Sequence, residues 1–319
     1  MTNATEGRLR LTILGGYLGS GKTTWLRHQL HQKQYGRVHV IVNEAAGIPV
    51  DDALLRAADE LTVLAGQCVC CEGQESLRQT LLRLCDERSR ISDPSQRLEG
   101  IVLETSGLAD PAAIITLVQD HPILARQIVI TEIIVIVDAL NARNQLRQET
   151  LSRAQIEAAD RLILTKTEAA DTRKIAELSA TLSVLAPGAA QSATIFGSAA
   201  ALPDIQESTQ LISLPQLDGA KAAPIRPAQL DLGDAPDWTG FTVWLSALLH
   251  ARGDEIVRVK GVVRTTAGRL LVQTVRKSVQ SPEILPEPEE PCDTDNSIAV
   301  FGRGFTQANL EASFRQFSS

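Results

Sequence analysis

From Leu9 to about Leu202 the chain alternates short apolar, β-branched runs with longer stretches of helical period. LRLTIL, RVHVIVN, ELTVLA, EGIVLE, QIVITEIIVIV, RLILT and ATIF read as strands, and KTTWLRHQLHQ, QESLRQTLLRLCDERS and DTRKIAELSATLSVLA as helices between them. Strands separated by helices of ten or more residues require crossover connections, which are right-handed. The expected fold is therefore α/β, a mostly parallel sheet covered by helices on both faces. Near Leu202 the pattern dissolves, with Pro203, Pro215, Pro224, Pro227 and Pro236 and no sustained periodicity, so residues 203–236 are expected to be a linker. Beyond it, GFTVWLSALLHARG reads as an amphipathic helix, and EIVRVKGVVR and RLLVQTVRKSV as strands joined by the turn TTAG. SPEILPEPEEPCDTDN, with four prolines and six acids, is expected to be an exposed loop. SIAVFGR and TQANLEASFRQF then close a small α+β domain over residues 237–319. No internal repeat is visible.

A length of 319 residues is consistent with about two domains. Composition is that of a globular chain, 44% hydrophobic and 22% charged. A formal charge of −7 and only 3% aromatic residues argue against a nucleic-acid surface, which needs a basic excess or stacking rings. No apolar run approaches the roughly 18 residues of a membrane span, and MTNATEGRLR lacks the order of a secretory signal. A cytoplasmic protein without membrane contact is expected. Five cysteines, three of them at Cys68, Cys70 and Cys71, are too few and too bunched for a disulfide framework.

LRLTIL runs directly into GGYLGSGKTTWLRHQL, a P-loop with Gly16, Gly21, Lys22 and Thr23 in the fixed positions and Gly19, Ser20 and Thr24 completing it. Glycines let backbone N–H groups curl into an anion nest, the following helix points its positive end at the phosphates, and Lys22 supplies charge to the β and γ oxygens. Thr23 offers its hydroxyl to Mg²⁺. In EGIVLETSGLADP an apolar strand ends at Glu104, placed to serve the metal's water shell or the attacking water, and Gly107 can offer its N–H to the γ-phosphate. The plain alternative there is a strand-to-helix turn capped by Ser106. RLILTKTEAAD sets Lys166 and Glu168 where guanine-reading proteins carry Asn-Lys-x-Asp, with Thr165 in place of the amide. A carboxylate accepts from guanine N1 and N2 and finds no such pair on adenine, which favours GTP.

QCVCCEG follows the strand ELTVLA, so its thiols belong to the carboxyl edge of the sheet, where ligands bind in open α/β folds. Three thiolates form a soft partial shell for Zn²⁺ or Co²⁺ with one position open. Buried packing, or a redox-active pair among these cysteines, competes with that reading. Cys85 reads as core and Cys292 as a free thiol in the acidic loop; His28 and His31 read as a solvated helix face.

GGYLGSGKTT, VNEAAGIPVDDALL, CVCC, ETSGLADP, TKTE and RVKGVV together resemble the CobW-type family of metal-handling P-loop GTPases, over nearly the whole chain. The resemblance implies a GTP-binding and GTP-hydrolysing metallochaperone that delivers a transition metal to a client metalloenzyme. It implies Gly21, Lys22 and Thr23 at the phosphates and Mg²⁺, Glu104 and Gly107 as γ-phosphate sensors, Cys68, Cys70 and Cys71 on the metal, and Lys166 and Glu168 around guanine. Asn43, Glu44 and Asp51 match the family's switch segment, with Glu44 the candidate to orient water or bridge the two sites. The family's Phe-Gly-Glu is replaced here by Ala45, Ala46 and Gly47, so one acidic group is absent, and Gln67 stands before the cysteines in place of glycine. With no glutamine evident to orient water, slow intrinsic turnover is expected, raised by metal or client. The second domain is expected to dock the client or to cap the first. The metal, the client and the oligomeric state, a homo-oligomer included, are left open by the sequence. A P-loop kinase with structural cysteines, or a nucleotide-regulated thiol switch, are the rival readings.

Overall fold

The computed structural model describes residues 7–44, 60–65, 73–216, 226–234, 236–253, 255–275, 277–285, 287 and 295–317. The chain divides into two compact units, one formed by residues 9–222 and the other by the C-terminal part from 223 onward together with the residues before Leu9.

The first unit holds β1 (Leu9–Gly15), α1 (Lys22–His31), β2 (Val38–Glu44), β3 (Glu60–Ala65), α2 (Gln74–Arg90), β4 (Gly100–Glu104), α3 (Pro111–Asp120), α4 (Pro122–Gln127) and β5 (Ile128–Asp138). After these come α5 (Ala142–Gln148), α6 (Thr150–Glu157), β6 (Arg161–Thr165), α7 (Thr172–Leu185), β7 (Ala190–Ile195) and β8 (Ser198–Ala200). The sheet order is β3-β2-β4-β1-β5-β6-β7-β8, parallel throughout except for the β7–β8 hairpin. Every residue of β4 is buried, as a central strand covered on both faces must be. On one face Trp25, Leu26 and Leu30 of α1 pack against Leu14, Val40, Val102 and Ile134 of the strands. Helix starts follow local chemistry: Asp110 accepts from Ala112 N ahead of α3, and Asp171 from Arg173 N and Lys174 N ahead of α7.

Chain order reverses at β1, whose neighbours are β4 and β5. The loop leaving β1 therefore opens between the carboxyl ends of those two strands, the crevice where ligands bind in open α/β sheets. Leu14 lies opposite Glu104, and Asp138 opposite Thr165, so three strand ends deliver their side chains to one edge.

The second unit is an antiparallel sheet of β9 (Arg226–Asp231), β10 (Ile256–Thr265), β11 (Gly268–Val275), β12 (Ser278–Val279), β13 (Glu283–Leu285) and β14 (Ser297–Gly302), with helices α8 (Trp238–Arg252) and α9 (Gln307–Arg315). Phe241, Trp244, Leu245 and Leu248 of α8 pack against Val259, Val263, Val272, Ile298 and Val300. Trp244 meets Phe314 edge-on, with ring centroids 5.3 Å apart.

Two sequence expectations are corrected here. Residues 226–231, expected within the linker, form β9 and pair with β14. Pro227 had argued against a strand, but β9 lies at the sheet's edge, where a residue without an N–H costs no ladder bond. The acidic stretch is not wholly an exposed loop: Glu283–Leu285 pairs with β11, and Asp295 is buried between Arg264 and Arg269. Those guanidiniums, Arg269 first, hold its carboxyl below the usual carboxylate range against the opposing effect of burial.

Candidate functional site

The loop between β1 and α1 follows a left-handed path that glycine alone adopts freely. Gly16, Gly19 and Gly21 have φ of 134°, 72° and 92°. A Cβ on Gly16 would lie 2.4 Å from the Ile136 carbonyl oxygen, so the loop passes directly over β5. Lys22, only 8% exposed, folds back over the loop and donates from Nζ to the carbonyls of Gly16 at 2.9 Å and Tyr17 at 3.3 Å. Ser20 is buried, and among the described residues its Oγ has no hydrogen-bond partner. Thr24 is half-buried on the first turn of α1.

Glu104 ends β4 at 2% exposure and accepts from Thr23 Oγ1 at 2.5 Å. The carboxylate and the hydroxyl are both hard oxygen donors, a set that suits Mg²⁺. Beyond Glu104, Thr105 donates to Leu14 O from its backbone N–H at 2.9 Å and from its hydroxyl at 3.1 Å, fastening the turn to β1. Gly107 then touches the phosphate loop: a Cβ there would lie 2.6 Å from Leu18 N. The two sequence-predicted phosphate elements are thus in contact.

At the base-reading end, Lys166 adopts φ 58° immediately after β6, and its Nζ bridges Gly19 O at 2.8 Å and Asp138 Oδ2 at 2.6 Å. Thr165 Oγ1 donates to Ser20 O at 2.7 Å. The hydroxyl that replaces an amide in the sequence pattern therefore ties β6 to the phosphate loop. Glu168 lies in the short 3₁₀ turn Thr167–Ala169 and is exposed.

Asp138, at the end of β5, escaped the sequence reading. Its signal equals that of Glu104, a carboxylate closing an apolar strand beside the P-loop. It is 1% exposed and accepts from Lys166 Nζ, Asn141 Nδ2 at 2.8 Å and Leu140 N at 2.9 Å. Burial raises its pKa, but the donors from Lys166, Asn141 and Leu140 outweigh it and hold the carboxyl below its ordinary value.

Asn43 is buried in β2 and donates to Leu64 O at 3.2 Å. Glu44 closes β2 two positions beyond Val42, which lies opposite Glu104; its side chain, Asp51, Ala45, Ala46, Gly47, Gln67 and the thiols of Cys68, Cys70, Cys71 and Cys292 fall outside the described residues. Cys85 is a core residue whose thiol burial pushes up to about 11. His28 is less solvated than its helix position implied: it is half-buried against Gly197, and its Nε2 lies 3.2 Å from Ser198 Oγ. Among the described residues no helix is long and apolar enough to cross a membrane.

Residues 10–192 match the family model CobW/HypB/UreG, nucleotide-binding domain, and residues 229–318 match the cobalamin synthesis protein cobW C-terminal domain. The zinc chaperone YjiA of Escherichia coli is 36% identical over 181 residues, 56% of each chain, so that likeness spans little more than half of either. The zinc chaperone CobW of Pseudomonas aeruginosa is 28% identical over 331 aligned residues, 86% of this chain and 82% of its own. A crystal structure of Zn(II)-bound YjiA GTPase from E. coli superposes with a TM-score of 0.59 at 24% identity, covering 98% of this chain and 99% of that one, a likeness of fold. By its nucleotide-binding domain and the domain that follows it, the chain belongs to the CobW/HypB/UreG family.

Proposed function

We propose that the protein is a GTP-hydrolysing metallochaperone that holds zinc, or cobalt, at Cys68, Cys70 and Cys71 and delivers it to a client metalloenzyme. The observation that carries the nucleotide half of this reading is the hydrogen bond from Thr23 to the buried Glu104 beside a glycine-lined phosphate loop. The cargo half is supported by the zinc-chaperone names of relatives and by the thiol pattern of this chain.

In this reading the N–H groups of the 16–21 loop and Lys22 take the phosphates, and Thr23 and Glu104 hold Mg²⁺. Bound there, Mg²⁺ neutralises charge on the β and γ oxygens. Lys22 is drawn from its carbonyl partners onto phosphate oxygens, a stronger, charge-assisted pairing. The Gly107 N–H meets the γ-phosphate, and Glu44 orients water. Water adds to the γ-phosphorus as the bond to the β–γ bridging oxygen breaks, giving GDP and phosphate. Lys166 lies along the base, and Glu168 accepts from guanine N1 and N2. With no glutamine evident in the sequence to orient the water, the protein alone turns over slowly, and metal or client raises the rate. The second unit docks the client.

The test is addition of Co²⁺ to the reduced, metal-free protein. A thiolate charge-transfer band with tetrahedral d–d absorption, lost in Cys68→Ser and Cys70→Ser, is expected. The absence of any thiolate band would refute the cargo site, and failure to bind GTP would refute the nucleotide site.

A further inference from the structure

Gly107 passes so close to the phosphate loop that a Cβ would strike Leu18 at both N (2.6 Å) and Cδ2 (2.7 Å). A residue that must be glycine is also the residue whose own backbone restrains it least. The direction of its peptide is therefore set from outside. Gln155 of α6, 1% exposed and 48 residues away along the chain, supplies the restraint. Its Nε2 donates to Gly107 O at 3.2 Å and to Ala109 O at 2.8 Å. A single amide, with two N–H donors for two carbonyls, thus fixes two peptides of the loop.

We propose that α6 is a brace for the γ-phosphate side of the site, and that Gln155 is the positioning residue that gives the protein its preference for nucleoside triphosphate over diphosphate. The inference rests on the nucleotide reading above. Gln155 does not touch nucleotide; it holds the carbonyls of Gly107 and Ala109, and Ala109 in turn donates from its N–H at 3.0 Å to Ser106 O, the carbonyl of the peptide whose Gly107 N–H meets the third phosphate. The α and β phosphates are met by the 16–21 loop, to which Gln155 makes no hydrogen bond among the described residues, so diphosphate binding is independent of it.

The test uses the full chain, a fluorescent GDP and a fluorescent non-hydrolysable GTP analogue. Gln155→Met keeps the volume and removes both donors. The expected result is GDP affinity within about twofold of wild type and triphosphate affinity lower by about tenfold, the scale of two neutral hydrogen bonds. A wild-type ratio of the two affinities, or an equal fall in both, would overturn the proposal. If Gln155→Met does not fold, Gln155→Asn retains a buried amide but draws it back from the carbonyls; a shifted triphosphate-to-diphosphate ratio supports the brace and an unchanged ratio overturns it. Failure of the wild-type protein to bind either nucleotide would instead strike at the nucleotide site itself.

Discussion

At the phosphate end of the nucleotide site Lys22, Ser20 and Glu104 are all buried, and their positions are fixed by backbone carbonyls, by Thr23 and by glycines that admit no side chain. At the base end Lys166 is 38% exposed and Glu168 stands in solvent on a 3₁₀ turn, with the buried anchors Asp138 and Thr165 beneath. Groups held close to their working positions before the ligand arrives pay little ordering cost on binding, and desolvated groups interact more strongly than solvated ones. Exposed groups do neither, and salt screens them. Affinity for nucleotide should therefore reside mainly in the phosphates, and selectivity for guanine should be shallower and more sensitive to ionic strength.

This contrast can be broken at both ends. The largest effect is expected from Lys22→Ala, which removes the buried cation the loop has folded around; GTP turnover, followed by phosphate release, should fall by about 10²–10³-fold. Asp138→Asn comes next. It leaves the Lys166 ammonium without its buried carboxylate, and a loss of about 2 kcal/mol of stability is expected in denaturant unfolding, together with weaker GTP binding. Because the folded pKa of Asp138 lies below its unfolded value, its contribution is fully present above the unfolded pKa and fades as pH falls through the folded one. Wild type should thus lose stability below about pH 4 more steeply than Asp138→Asn. The smallest effect belongs to Glu168→Ala, an exposed acceptor: the ratio of GTP to ATP affinity should drop by about fivefold with phosphate contacts intact. A Glu168→Ala effect larger than that of Lys22→Ala would invert the comparison.

The phosphate end was also the part legible in the sequence, and for the same physical reason. Gly16 to Thr23 and Glu104 to Gly107 are local patterns, in which strand, turn and helix are contiguous and each residue's task follows from its neighbours. The parallel sheet was legible because β-branched runs and helical periods alternate strictly over the first 200 residues. Contacts made across the fold were not. Nothing near Gln155 marks it as a partner of Gly107, and Thr165 looked like a defect in a motif until its hydroxyl was found on Ser20 O. Asp138 carried a readable signal that was passed over because its strand is unusually long and apolar. Strand β9 was hidden by Pro227, since a sequence does not announce which strand will lie at an edge.

Under the proposed function, nucleotide and cargo metal should act on one another. A coupling free energy is reciprocal, so if GTP orders the segment that carries the cysteines, metal affinity must depend on nucleotide state. The most direct measurement is the zinc affinity of the reduced, metal-free protein, taken by competition with a chromophoric chelator, once with GDP and once with a non-hydrolysable GTP analogue. The account predicts affinities that differ by about fivefold or more, with the difference abolished in Cys68→Ser. Equal zinc affinities in the two nucleotide states would contradict it.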